Sequence, residues 1–248
     1  MLSTKTNNGR FFEDFVLNDV IQHASPRTIA AGDCALYIAL YGPRSPLHCS
    51  QPFAQSLGYK TAPVDDLLAF HIAFGKTVPD ISVNAVANLG YADVRFIQPV
   101  FVDDTLSTSS QVIGLKQNSS GKSGVVWVRS TAINQNKQPV LSWVRWVMVH
   151  KNDLGAPAPA TVVPKLPGFV EPEHLNISNE LSAKKFDRTA TGGNYFWEDY
   201  QAGERINHAA GLTINDSDHS LATHLYQNNA RLHFDDFMMK NSNYGKRL

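Results

Sequence analysis

Residues 10–63 of this chain reappear at 195–248, at a constant offset of 185 positions and without a gap. Charged, aromatic and apolar residues all take part in the repeat. The clearest matches pair Glu13-Asp14-Phe15 with Glu198-Asp199-Tyr200, Ile21-Gln22-His23-Ala24 with Ile206-Asn207-His208-Ala209, and Leu47-His48 with Leu232-His233. A match of this length predicts a duplicated structural unit.

The offset also predicts how the chain is divided. The first copy continues to about Lys151, so the same offset would carry a full second copy past Leu248. We therefore expect a complete first unit at 10–151 and a Pro-rich linker with a surface excursion at 152–193. Residues 194–248 are expected to form the N-terminal part of a second unit.

Composition excludes several classes of protein. The 248 residues carry 22 basic and 22 acidic side chains, so no net charge draws the chain to nucleic acid or an anionic membrane. Two cysteines, Cys34 and Cys49, make neither a metal set nor a disulfide framework, and free thiols fit the cytoplasm. The polar N-terminus and the absence of an 18-residue apolar run predict neither a secretory signal nor a membrane span.

The first unit reads as one buried helix followed by a series of strands. Residues 65–78 are apolar almost all round, which is typical of a helix buried on most faces, and Gly75 and Pro79 are expected to end it. Runs rich in β-branched and aromatic residues predict strands at 86–97, 104–117, 123–134 and 139–151, joined by short turns and therefore antiparallel. The last strand carries large apolar groups on both faces, which favours a central position in the sheet.

A long buried helix wrapped by an antiparallel sheet of about five strands is the α+β hot-dog architecture. Because the unit is repeated, we expect a double hot-dog with an incomplete second repeat.

Four segments carry a family resemblance. Tyr41-Gly42-Pro43-Arg44-Ser45-Pro46-Leu47-His48 resembles the hydratase motif Gly-Asp-x-Asn-Pro-Leu-His of the MaoC-like (R)-specific enoyl-CoA hydratases. More narrowly, three segments are similar to the 2-methylfumaryl-CoA (mesaconyl-CoA) hydratases, also called β-methylmalyl-CoA dehydratases. They are Phe74-Gly75-Lys76-Thr77-Val78-Pro79-Asp80, Asn84-Ala85-Val86-Ala87-Asn88-Leu89-Gly90-Tyr91 and Leu225-Tyr226-Gln227-Asn228-Asn229-Ala230-Arg231-Leu232-His233-Phe234-Asp235.

The resemblance implies a lyase that adds water reversibly to an enoyl-CoA, with no cofactor and no metal. The expected partner is an acyl-CoA thioester, and a homo-oligomer is expected. Such a reaction needs a base for water, a proton for the α-carbon and donors for the enolate oxygen. The backbone N–H groups at the start of the buried helix are the expected donors.

The two motif copies depart from the family pattern in different ways. Pro43 stands at the Asp position of the first copy, so that copy is predicted to be degenerate and to leave His48 as a wall of the substrate site. In the second copy, Asn228 stands at the Asp position. We predict His233 as the base, oriented by Asn228 or Asp235, and Arg231 and Arg44 as partners for a second substrate carboxylate, with a surface role for both arginines as the alternative.

Other interpretations stay open. A hot-dog thioesterase could use Asp65 or Asp66 at the helix start, and a truncated paralogue could bind acyl-CoA without catalysis. Since the second unit is expected to lack its own helix and strands, we also expect little or no activity from the chain as it stands. Asp33 and Asp218, at matching positions before helical stretches, are expected to cap helices.

Overall fold

One long helix and an antiparallel sheet form the body of the molecule. The computed structural model describes residues 8–175, 181–242 and 244–248. The helices are α1 (Ala31–Tyr41), α2 (Pro46–Cys49), α3 (Gln51–Leu57), α4 (Asp66–Ile81), α5 (Arg188–Thr191), α6 (Asp216–Leu225) and α7 (Asp236–Met239). The strands are β1 (Val20–Gln22), β2 (Arg27–Thr28), β3 (Ala85–Phe96), β4 (Thr105–Gln117), β5 (Ser123–Ile133) and β6 (Pro139–His150). Short 3-10 turns lie at Phe12–Asp14, Pro172–His174, Ala183–Lys185, Trp197–Asp199 and Arg231–His233.

The sheet has the order β1-β4-β5-β6-β3, and β2 also pairs with β4. All of these pairings are antiparallel. The four predicted strands are confirmed to within one residue at each end. β6 lies between β5 and β3, which confirms its predicted central position. The two short strands β1 and β2 were not predicted, because two or three residues carry too little alternation to be recognised.

α4 is the predicted buried helix, and it packs on the sheet. Leu68 and Ile72 are fully buried and belong to one core cluster with Trp143 of β6. A second cluster joins the helix end at Ile81 to the strands and to Phe12. This helix wrapped by a sheet is the arrangement expected of a hot-dog fold.

The predicted helix end at Gly75 and Pro79 is wrong, because α4 runs through both residues to Ile81. Gly75 is needed for packing: a Cβ atom there would lie 2.0 Å from the carbonyl oxygen of Tyr226. Pro79 lies inside α4 and removes one i→i−4 hydrogen bond, and only Asp80 and Ile81 continue the helix beyond it.

Arg145 on β6 is a fully buried cation between the sheet and α4. Its guanidinium donates to the Thr77 hydroxyl at 2.9 Å and lies 4.5 Å from the ring centroid of Phe74. Burial lowers the pKa of Arg145 to about 10. The side chain therefore ties the centre of the sheet to the second half of α4.

Part of the tail forms the same local elements as the head at the repeat offset. The turn Phe12–Asp14 reappears as Trp197–Asp199, and α1 reappears as α6. At both helix starts the third helical residue accepts a hydrogen bond from the N-cap backbone: Asp33 accepts from the Ala30 N–H at 2.9 Å, and Asp218 accepts from the Asn215 N–H at 3.1 Å. The predicted capping by these two aspartates is confirmed.

Packing differs between the copies. Phe12 is 0% exposed against the sheet, whereas its counterpart Trp197 is 91% exposed. Residues 205–213, the counterparts of β1 and β2, are described and form no strand. In the first copy these strands exist because β4 pairs with them.

The segment between the copies has little regular structure. Residues 152–175 are mostly exposed, with a bridge from Val162 to Leu115 of β4 and the 3-10 turn Pro172–His174. The expected surface excursion contains α5 and two 3-10 turns, and its residues 176–180 lie outside the described residues. Within the part of the chain that the structure describes, no helix combines the length and the apolar character needed to cross a bilayer.

Candidate active site

A cavity of about 470 Å³ opens between α4, β3 and the tail, and we call it the His233 cavity. His233 and Asn228, both predicted site residues, line it together. Because α4 and β3 belong to the first copy, the cavity combines elements of both copies. Its other walls include His71 and Phe74 of α4, Tyr91 of β3, and His219 and Thr223 of α6.

His233 is paired with a second imidazole that the sequence did not point to. Nδ1 of His233 lies 3.2 Å from Nε2 of His219, and the ring centroids are 5.1 Å apart. Burial lowers the pKa of His233 and the nearby His219 lowers it further, while a hydrogen bond to the Leu248 backbone raises it in part. His233 is therefore neutral near pH 7, which is the state that a general base requires.

Asn228 has one half of its amide engaged. Its Oδ1 accepts from the Ala230 N–H at 3.0 Å, which closes a local turn. The NH₂ group is then the part of this side chain left for a ligand. An amide can donate to water but cannot remove a proton, so Asn228 suits a positioning role.

Asp235 has two structural partners. Its carboxylate accepts from the Met238 N–H at 2.9 Å as the N-cap of α7, and from Arg231 Nε at 2.8 Å. These hydrogen bonds lower the pKa of Asp235, the Met238 bond most and the Arg231 bond next. Among the contacts of the described residues, none joins Asp235 to His233. The structure therefore gives Asp235 a capping role and no contact that would orient the base.

Two further predicted substrate contacts, Arg231 and Arg44, lie outside the cavity. The Arg231 side chain is exposed and paired with Asp235, and Arg44 is exposed after α1. Both placements match the alternative interpretation of a surface charge. Within the described residues, neither side chain lines the His233 cavity.

His48 lies in a separate crevice of only about 20 Å³, which we call the His48 crevice. Its Nδ1 is 3.1 Å from the carbonyl oxygen of Pro63. Val64 and Asp65 also line this crevice, and Asp65 caps α4 by accepting from the Leu67 N–H at 2.9 Å. The start of α4, expected to supply donors for the enolate, therefore faces the crevice and not the His233 cavity.

The His48 crevice is the repeat counterpart of the His233 cavity. Five of its lining residues match five residues of the cavity at the repeat offset. They are Cys34, Tyr37, Ile38, Pro43 and His48, against His219, Ala222, Thr223, Asn228 and His233. Tyr37 and Ile38 are larger than Ala222 and Thr223, so the first copy is filled where the second is open. The predicted degeneracy of the first copy agrees with this packing.

The wall between α4 and the tail depends on close contacts around Tyr226. His71 stacks on the Tyr226 ring with centroids 4.5 Å apart. The Tyr226 hydroxyl donates to the hydroxyl of Tyr41, its own repeat counterpart, at 2.8 Å. Burial raises the pKa of Tyr226 and lowers that of His71, so both side chains are neutral at physiological pH.

His219 and His71 are the cavity residues that sequence reasoning missed. His219 could have been found by asking where the two copies differ, since the first copy has Cys34 at the matching position. His71 has no such signal, because it lies in an apolar helix whose orientation is set by tertiary packing.

Comparison with known proteins places the chain in a family. Residues 14–136 match the family model of the MaoC-like domain. The chain is 54% identical over 247 residues to a β-methylmalyl-CoA dehydratase of Chloroflexus aurantiacus, and the match covers 100% of the chain and 70% of that relative. It is 56% identical over 231 residues to a mesaconyl-CoA hydratase of Cereibacter sphaeroides, covering 93% of the chain and 67% of that relative.

Solved structures agree with this placement. A crystal structure of a MaoC domain protein from Chloroflexus aurantiacus superposes with a TM-score of 0.96 at 55% identity, covering 99% of the chain and 70% of that structure. A Mycobacterium tuberculosis protein described as a double hot-dog fold superposes with a TM-score of 0.64 at 22% identity, covering 98% and 73%, which supports the fold alone. The chain therefore belongs to the family of MaoC-like domain proteins.

Proposed function

We propose that the chain is a hydratase/dehydratase that adds water reversibly to an enoyl-CoA, converting mesaconyl-CoA to β-methylmalyl-CoA. The observation that carries the proposal is the His233 cavity, in which the second motif copy presents a neutral imidazole beside an amide. Two relatives with this printed activity, at 54% and 56% identity, support the choice of substrate.

The cavity can supply the proton transfers of hydration. Nε2 of His233 accepts a proton from water while the water oxygen bonds to the β-carbon. The double-bond electrons move towards the thioester oxygen, and the protonated imidazole then delivers the proton to the α-carbon. The Asn228 amide donates a hydrogen bond to the water and holds it in place. Dehydration runs the same steps in reverse.

The thioesterase alternative has no comparable support. Its candidate carboxylates, Asp65 and Asp66, lie at the start of α4. Asp65 is a helix cap in the His48 crevice, and burial raises the pKa of Asp66. Within the described residues, neither lines the His233 cavity, so we do not propose hydrolysis of the thioester.

A spectrophotometric assay with mesaconyl-CoA tests the proposal. We expect loss of the enoyl absorbance with the wild-type chain and a drop in kcat/KM of about 100-fold or more for His233→Ala, since a general base contributes on that scale. His48→Ala is the matched control, because the repeat counterpart lies outside the cavity, and its kcat/KM should change by less than about threefold. Equal effects of the two substitutions, or release of free CoA thiol, would contradict the proposal.

Two further expectations stay predictions. A homo-oligomer is tested by light scattering after size-exclusion chromatography. A cytoplasmic location is tested by fractionation of the source cells.

A further inference from the structure

We propose that His219 is a positioning residue that fixes the ring orientation and the tautomer of His233. The inference rests on the proposed function, since it assigns His233 as the base of the hydration. It concerns a residue outside the two motif copies, on a different helix from the base.

The geometry allows a single proton to bridge the two rings. Nδ1 of His233 and Nε2 of His219 are 3.2 Å apart, and both rings line the cavity. If His233 donates its Nδ1 proton, its Nε2 carries a lone pair that can accept a proton from water. If His219 donates instead, Nε2 of neutral His233 carries the hydrogen and cannot act as a base. Catalysis therefore requires that His219 be the acceptor.

α6 holds His219 firmly enough for this task. The Thr223 hydroxyl donates to the His219 carbonyl at 2.9 Å, one turn along the helix. The helix end is anchored to the first unit through a hydrogen bond from Arg27 to the Leu225 carbonyl. His219 is thus presented by an element packed against α1 and α4, while His233 lies in a short 3-10 turn.

The duplicated segment provides an internal comparison. In the first copy, Cys34 stands at the position of His219, and His48 stands at the position of His233. A thiol is a weak acceptor, and Nδ1 of His48 contacts the Pro63 carbonyl instead. The imidazole pair therefore occurs in the open His233 cavity and not in the filled His48 crevice. A role of the pair in catalysis predicts this difference between the two copies.

The surrounding charges are compatible with a neutral His233. Partial burial lowers the pKa of His71 on α4, so it adds no positive charge at neutral pH. Asp218 on α6 is bonded to Asn215, and Arg231 and Asp235 neutralise each other beside His233. With these charges balanced, the tautomer of His233 is set by competition between its two hydrogen-bond partners, His219 and the Leu248 backbone.

Substitution at position 219 tests the proposal kinetically. His219→Leu removes the acceptor, and we expect kcat for mesaconyl-CoA hydration to fall by about 100-fold with KM changed less than about threefold, as when a group that holds a catalytic histidine in its tautomer is lost. His219→Gln keeps an acceptor oxygen and should recover most of kcat. His224→Leu is the control on the same helix, since His224 lies outside the cavity and is exposed. Equal losses for Leu and Gln at position 219 would overturn the proposal.

A measurement without substrate separates this proposal from the proposed function. The ¹⁵N chemical shifts of the His233 ring in the wild-type chain report which nitrogen carries the hydrogen. We expect the Nδ1–H tautomer in the wild type and a mixture in His219→Leu. A wild-type Nε2–H tautomer would overturn the positioning role even if hydration is observed. Absence of hydration with the expected tautomer would overturn the proposed function and leave the pairing intact.

Discussion

At the scale of single residues, Gly75 shows how one missing side chain shapes the cavity. It lies in the interior of α4, where glycine is normally unfavourable. The Tyr226 backbone passes so close that a Cβ at position 75 would lie 2.0 Å from its carbonyl oxygen and 3.3 Å from the Asn228 nitrogen. Without this approach, Tyr226 could not stack on His71, and Asn228 would move out of the cavity wall.

We predict that Gly75→Ala lowers the free energy of unfolding by about 1–3 kcal/mol, because two backbones must separate to admit the methyl group. Gly32→Ala is the matched control: it also lies in a helix, and a Cβ there meets nothing within 4 Å. The control should be neutral or stabilising by up to about 1 kcal/mol. Urea unfolding measures both, and equal effects would contradict the close contact.

At the scale of elements, α6 is held on the first unit by two cations of that unit. Arg27 donates to the Leu225 carbonyl at the end of α6 and pairs with Asp33. Lys76 of α4 donates to the Gln227 side chain just beyond the helix. Positive charge at a helix C-terminus is favourable because the unpaired carbonyls carry partial negative charge. The two contacts therefore fix the helix that carries His219.

Arg27→Leu is predicted to loosen α6 and to cost about 1–3 kcal/mol, since the Leu225 carbonyl and Asp33 both lose a charged partner. Hydrogen exchange should become faster in α6 than in the wild type, while amides of β5 and β6 keep their protection. Arg44→Leu is the control, because Arg44 is exposed. If hydrogen exchange became faster throughout the sheet as well, Arg27 would support the whole fold and not the docking of α6 in particular.

At the scale of the whole molecule, one buried and two half-buried histidines from three separate regions share one property. Burial lowers the pKa of His23, His71 and His233, although the Asp80 carboxylate at 2.8 Å partly offsets this for His23. In the unfolded chain these groups return to about 6.5. The unfolded state then binds more protons just below that pH, so acidification favours unfolding.

We therefore predict that stability is full above about pH 6.5 and falls as the pH drops below it, before most carboxylates titrate. The urea midpoint should be lower at pH 5.5 than at pH 7.5. His23→Gln should reduce the difference between the two midpoints, because it removes one of the three groups. A midpoint that stays constant or rises over this interval would contradict the lowered pKa values.

Much of the local structure could be predicted from the sequence alone. The strands from Ala85 to His150 follow from their β-branched and aromatic content, and the short turns between the last three require antiparallel neighbours. The repeat predicts matching elements, and the equivalent hydrogen bonds of Asp33 and Asp218 at the starts of α1 and α6 confirm this for the two helices. The sequence also predicts His233 and Asn228 as site residues, and both line the same cavity.

Packing between distant segments was decided only by the tertiary structure. The role of Gly75 depends on a backbone 151 positions away, as does the partner of Lys76. The pairing of His219 with His233, the capping role of Asp235 and the filling of the His48 crevice by Tyr37 likewise depend on side-chain positions that no local pattern encodes. Sequence periodicity and capping act within a few residues, so they determine the helices and strands. Long-range packing of the whole chain decides which faces of these elements meet and which of the two similar clefts stays open.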